Sequence, residues 1–171
     1  MMGSGKTAVG TALARRLGWR YRDNDQQLHL ATGDTVDEVA AAQGRERLHR
    51  LEAEQAALAA RELPPLVAGL AASVVEDEQL WPTLRAAGWC VYLRAKPATL
   101  VERVGAGEGR PWLARDPAGF IERTLGRRGP LFARLADKIV DVDDAGSDRI
   151  AESIATELQL GVAQAGDRAR R

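Results

Sequence analysis

Cysteine is nearly missing from this 171-residue sequence, where Cys90 stands alone. A single thiol excludes an internal disulfide and fits a reducing compartment. Its position in the apolar run Trp89-Cys90-Val91-Tyr92-Leu93 reads it as a buried structural residue. Long apolar runs are missing as well, since none approaches the roughly 20 residues needed to cross a bilayer. A glycine-rich loop stands where a signal peptide would carry its apolar centre, so the expected location is cytoplasmic, away from membranes. Net charge is absent too: Lys plus Arg and Asp plus Glu each number 24. No overall field therefore draws the chain onto nucleic acid or an anionic membrane, and any basic site must be local. The length fits one domain with a core of its own.

What is present is an alternation of helical and extended segments without a repeat period, the pattern of a parallel sheet with crossover helices. Gly5–Leu17 reads as a helix with Val9, Leu13 and Leu17 on one face and Gly18 ending it. Arg20–Asp23 is a short strand. Thr35 with Glu38 has the form of a capping box opening a helix at Val36, and Gly44 should break that helix, with its second part running Arg45–Glu62. Pro64-Pro65 forces a stop before the buried strand Leu66–Gly69, and Glu76–Ala87 is the next helix. Trp89–Leu93 is the clearest strand, and Ala98–Val104 is helical. Gly105–Asp116 is Gly-rich and charged, as a mobile flap would be. Ala118–Ala136 should be a helix that bends or breaks at Gly129-Pro130. Ile139–Val142 and Arg149–Leu160 read as a last strand and helix. The domain is thus expected over 1–161, with a frayed polar tail over 162–171.

Gly3-Ser4-Gly5-Lys6-Thr7 carries the closing part of G-x-x-x-x-G-K-[ST] and runs directly into an amphipathic helix, the context this motif requires. Glycines let backbone N–H groups turn inward around a β-phosphate, and the helix dipole adds partial positive charge. Lys6 can bridge the β- and γ-phosphates, and the Thr7 hydroxyl can face a magnesium ion. The segment Gly3, Ser4, Gly5, Lys6, Thr7 and Ala8 is therefore the candidate holder of ATP, with Mg2+ as the implied ion. The first glycine of the pattern would fall just before Met1, and the strand that usually feeds such a loop is not in the sequence. The natural chain is therefore expected to extend upstream by about ten residues, a strand plus loop entry.

With these residues in view, the sequence resembles the shikimate kinase family collinearly from Met2 to about Leu160. The resemblance implies a three-layer α/β/α P-loop kinase fold around a five-stranded parallel sheet, its first, central strand lacking here. It also implies an acceptor-binding segment over about 24–61 and a lid over about 105–117. Asp23-Asn24-Asp25 is similar to the family's Asp-x-Asp after the second strand. By that likeness Asp23 helps hold magnesium through water, and Asp25 hydrogen-bonds the acceptor hydroxyl and orients or deprotonates it. Carboxylates suit both tasks; an acidic turn in solvent is the bland alternative. Arg110-Pro111 resembles the family's lid Arg-Pro, whose arginine reaches the transferring phosphoryl group. Arg128-Gly129-Pro130-Leu131-Phe132 resembles Arg-x-Pro-Leu-Tyr, whose arginine clamps the acceptor's carboxylate bidentately. Arg103 matches the arginine that stacks on adenine.

Two stretches depart from that family, and both concern the acceptor. The family has Phe-Arg ahead of a glutamate and a Gly-Gly-Gly after the third strand. This chain has Leu48-His49 before Glu52, and Leu70-Ala71-Ala72 after Gly69. A neutral His49 cannot make an arginine's two-pronged contact, and side chains replace glycine where a ligand would approach the backbone. His29 reads as structural, and Trp19, Trp81, Trp89 and Trp112 as packing residues, with Trp112 also able to cover a ligand. The expected function is transfer of the ATP γ-phosphoryl group to a small anionic hydroxy-metabolite, shikimate first. A gluconate-like acid, a nucleoside kinase activity and a nucleotide-binding protein without transferase activity are the alternatives. By the resemblance the protein is a monomer in the pathway of aromatic amino acid biosynthesis.

Overall fold

The computed structural model describes residues 1–105 and 116–168, with backbone alone from 160 onward. Helix α1 (Lys6–Leu17) follows the glycine-rich loop and closes on Gly18, whose N–H bonds the carbonyls of Ala14 and Arg15. Strand β1 (Arg20–Asp23) matches its expected bounds and ends where Asp23 caps helix α2 (Asn24–Thr32), its side chain accepting from the backbone N–H groups of Asp25 and Gln26. Helix α3 (Val36–Ala59) begins with the reciprocal Thr35–Glu38 capping box. Gly44 interrupts it with φ of 81° and ψ of 162°, a geometry that only glycine adopts at ease. The expected break is therefore real.

Strand β2 (Leu66–Gly69) lies parallel to β1, with Tyr21 beside Val67 and Asp23 beside Gly69. The single helix expected from Glu76 is instead two 3-10 turns, Ala72–Glu76 and Glu78–Leu80, followed by helix α4 (Trp81–Ala87). Asp77 separates the turns by accepting from the Gln79 N–H, and Pro82 suits the first turn of α4, where no N–H is needed. Strand β3 (Val91–Arg94) precedes helix α5 (Pro97–Val104). Helix α6 (Pro117–Leu135) runs unbroken through Pro130, where a bend or a break was expected. Gly126, whose carbonyl loses its N–H partner to that proline, is exposed, so water can serve it. Strand β4 (Lys138–Asp141) pairs parallel with β3, and helix α7 (Ser147–Arg168) continues past Gly161 through the segment expected to fray. One glycine inside a helix costs only about 1 kcal/mol, and the alanines and glutamine beyond it favour continuation.

The four strands make two parallel pairs, β1-β2 and β3-β4. A cavity of about 560 Å³ lies between them, lined by β2, β3 and the apolar side of α1. This explains why β2, expected to be buried, has Ala68 exposed and its other residues half-buried. The main core joins Val9, Ala12 and Leu13 of α1 to Ile150, Ala151, Ile154 and Ala155 of α7, with Leu100 and Ile121 fully enclosed. A second, smaller core packs Leu28 against Val39, Leu48 and Leu51, fixing α2 on α3. Trp81 is buried and donates to the Val75 carbonyl at 3.1 Å, while Trp19 and Trp89 are partly exposed. Cys90 is half-buried, its thiol pushed up by burial first and by Asp137 second. Among the described residues no helix is long and apolar enough to cross a membrane.

Candidate active site

The phosphate loop is held by its own backbone. Gly3 and Gly5 have φ of 75° and 83°, and a Cβ on Gly3 would lie 2.9 Å from Val104 Cγ2 and 3.2 Å from the Leu100 carbonyl oxygen. Buried Ser4 donates through Oγ to the Met1 carbonyl at 2.7 Å, which draws the loop tight. Lys6 is half-buried, and Thr7 and Ala8 lie exposed on the first turn of α1. The loop's open face thus presents a positive helix end, an ammonium and a hydroxyl.

The end of β1 meets that hydroxyl. Thr7 Oγ1 donates to Asp23 Oδ2 at 3.0 Å, and Tyr21 donates to the same oxygen at 3.0 Å, while Asp23 Oδ1 caps α2. Tyr21 reaches this place because two glycines make room for it: a Cβ on Gly10 would fall 2.4 Å from its Cε2, and one on Gly69 2.3 Å from its hydroxyl. Burial, followed by the charge of Asp23, drives the Tyr21 hydroxyl well above its ordinary value, so it remains a donor. Asp25 lies exposed in the first turn of α2. Among the described residues no three His, Cys, Asp or Glu side chains cluster as a metal cage. The oxygens of Thr7 and Asp23 instead fit a hard cation that takes most of its ligands from phosphate and water, as Mg2+ does.

On the opposite wall, Glu52 of α3 is buried and accepts a hydrogen bond from Ser73 Oγ. Burial raises its pKa most, the Ser73 bond lowers it, and Asp25 raises it, with Arg128 and Lys6 opposing. One buried carboxyl therefore feels the phosphate-loop lysine, the α2 aspartate and the α6 arginine together. Arg128 is 6% exposed and donates through Nη2 to Glu76 Oε2 at 2.7 Å. His49 is half-buried beside it: burial first, then the charges of Arg128 and Arg45, hold its imidazole below the usual value, so it is neutral. Leu70 is half-buried and Ala71 buried in the stretch where glycines were expected. Arg103 donates through Nη2 to the Val142 carbonyl at 2.8 Å, beside the turn after β4. Arg110 and Trp112 lie outside the described residues.

The structure thus joins Thr7, Asp23 and Asp25 at the end of β1, and it puts Lys6, Asp25 and Arg128 within electrostatic reach of Glu52 and His49 within reach of Arg128. The sequence reading missed Tyr21, Ser73 and Glu76. Tyr21 was recoverable from glycines at 10 and 69, but only with the strand register in hand; Glu76 was assigned to a helix and carried no motif.

Residues 2–159 match the family model described as shikimate kinase. The chain is 36% identical over 163 residues to a shikimate kinase of Symbiobacterium thermophilum, covering 93% of this chain and 92% of that one. It is 35% identical over 156 residues to a shikimate kinase of Thermobifida fusca, covering 91% and 90%. The solved shikimate kinase of Acinetobacter baumannii in complex with shikimate superposes with a TM-score of 0.82 at 26% identity, over 95% of this chain and 89% of that one. By its sequence, its P-loop fold and its convergent site, this chain belongs to the shikimate kinase family of small-molecule kinases.

Proposed function

We propose that this chain uses Mg2+-ATP to phosphorylate a hydroxyl of shikimate, giving shikimate 3-phosphate and ADP. The observation that carries this reading is the phosphate loop joined to the end of β1, where Thr7 Oγ1 donates to Asp23 Oδ2 at 3.0 Å and Asp23 Oδ1 accepts from the Asp25 N–H. A phosphate-binding ammonium, a carboxylate for an acceptor hydroxyl and a guanidinium for an acceptor carboxylate all lie within electrostatic reach of the buried Glu52. The likeness to a relative solved with shikimate supports the choice of acceptor.

In this reading the backbone N–H groups of Gly3 to Ala8 and the Lys6 ammonium hold the β- and γ-phosphates, and Arg103 lies at the adenine end. Thr7 and Asp23 hold Mg2+, which when bound neutralises charge on the phosphates. Tyr21 orients the Asp23 carboxylate by donating to it. Arg128 grips the acceptor's carboxylate and sets its hydroxyl toward Asp25, which accepts the proton as the hydroxyl oxygen bonds to the γ-phosphorus and the bond to ADP breaks. Arg110 has the lid role by sequence, arriving on closure to face the transferring oxygens.

A neutral His49 and the side chains of Leu70 and Ala71 favour a second reading, transfer to a different hydroxy acid or sugar acid. ADP release with Mg2+-ATP and shikimate, then with a panel of hydroxy acids, sugar acids and nucleosides, separates the two. Turnover with shikimate supports the first; turnover only with another acid replaces it. Asp25→Asn is expected to lower kcat by about 10²–10⁴, the range for loss of a general base, with ATP affinity nearly unchanged. Unaltered turnover would remove Asp25 from the reaction.

A further inference from the structure

A buried arginine is normally satisfied by a carboxylate that takes two of its N–H groups in parallel. Arg128 is not. Glu76 accepts only from its Nη2, because the other Glu76 oxygen is 2.5 Å from Arg127 Nε. The Nε of Arg128 is buried without a hydrogen-bond partner. The exposures are unequal: the Arg128 side chain is 8% exposed, that of Glu76 27% and that of Arg127 61%. One carboxylate is therefore shared between an enclosed arginine that it satisfies incompletely and an open arginine at the surface. Burial draws the Glu76 carboxyl upward, but the Arg128 hydrogen bond and the two arginine charges outweigh it, so Glu76 is an anion.

We propose that Glu76 determines acceptor specificity as an internal carboxylate that occupies Arg128 in the free enzyme and yields it to the carboxylate of the acceptor. The proposal rests on the reading of Arg128 as the acceptor clamp. An incoming carboxylate that takes Nη2 and Nε together satisfies the stranded donor, and Glu76 keeps Arg127 as its partner after the exchange. A neutral polyol offers no anion with which to displace Glu76, and stripping a buried guanidinium of its carboxylate is strongly unfavourable. The site thereby rejects uncharged acceptors at the expense of some affinity for charged ones.

The test is shikimate binding by calorimetry in the presence of Mg2+-ADP, with steady-state kinetics, for wild type, Glu76→Gln and Arg127→Gln. Removing the internal anion should tighten shikimate binding and lower its KM by about three- to tenfold, as befits one partly exposed charge-assisted bond, with the KM for ATP unchanged. Arg127→Gln should do the reverse, because Glu76 is then left to Arg128 alone. Binding of the methyl ester of shikimate should not respond to Glu76→Gln. Weakening in both variants, or no change in either, would overturn the proposal and leave Glu76 a scaffold for Arg128. Should Glu76→Gln fail to fold, the exposed Arg127 substitution carries the test alone, and unchanged or tighter binding there overturns the proposal. If wild type binds no shikimate, the functional reading fails separately. Acetate titrated against the Arg128 Nε–H resonance then decides, a larger response in Glu76→Gln than in wild type supporting the exchange and an equal one refuting it.

Discussion

Tyr21 shows how single positions build this site. Its hydroxyl steadies Asp23, and its ring lies in a slot defined by Gly10 and Gly69. Gly10→Ala would place a methyl 2.4 Å from the ring, whose only escape carries the hydroxyl away from Asp23. Overpacking of this kind costs about 1–3 kcal/mol, so the expected result is a lower Tm together with a higher magnesium requirement in turnover. Loss of stability with an unchanged magnesium dependence would show that Tyr21 only packs. At this scale the sequence disclosed what has a pattern. Lys6, Thr7, Asp23, Asp25 and Arg128 each belong to a spaced motif whose chemistry names them. Tyr21 and Glu76 work through partners 2 and 52 residues away along the chain, and composition carries no trace of such pairings.

Elements were legible where local chemistry decides them. The capping box at Thr35 and Glu38, the interruption at Gly44 and the closure of α1 on Gly18 all follow from residues within one turn. Thr35→Ala should remove a side-chain cap worth about 1 kcal/mol, a Tm decrease of about 2–4 °C in a domain of this size. A drop of that size without change in ATP affinity would fit, because α2 and α3 join through their own small core apart from the phosphate loop. Expectations failed where tertiary surroundings outweighed local signals. Pro130 persists inside α6 because the helix face that it disturbs is wet, and Gly161 does not stop α7. The stretch from Glu76 to Ala87 was expected as one helix, yet Asp77 and Pro82 divide it, and the 3-10 turn that ends at Glu76 places it against Arg128.

For the whole molecule, buried Glu52 and half-buried Glu76 make stability depend on pH in opposite senses. The Glu52 carboxyl has a raised pKa, so the native state retains its proton to higher pH than the unfolded chain does. Its contribution is full below the ordinary carboxylate value of 4.5 and declines as pH rises through the native value. Glu76 is lowered by its two arginines, so its contribution is present above 4.5 and is lost as pH falls through the native value. Glu52→Gln should abolish the decline on the alkaline side while leaving the acid limb in place. Denaturant titrations between pH 3 and pH 8 would reveal this as a flattened upper limb, whereas parallel curves for the two proteins would assign the slope to other groups. The parallel α/β class and the order of elements were readable from alternation at this scale. The separation into two pairs agrees with the expected lack of a central strand, whereas the register within each pair was not readable, because strand pairing joins positions distant in sequence. The core between α1 and α7 decides which part of the protein is slowest to open. Val9, Ala12 and Leu13 of α1 face Ile150, Ala151, Ile154 and Ala155 of α7, all nearly enclosed. Long-lived protection in hydrogen exchange is therefore expected in this helix pair, the last part of the molecule to let solvent in.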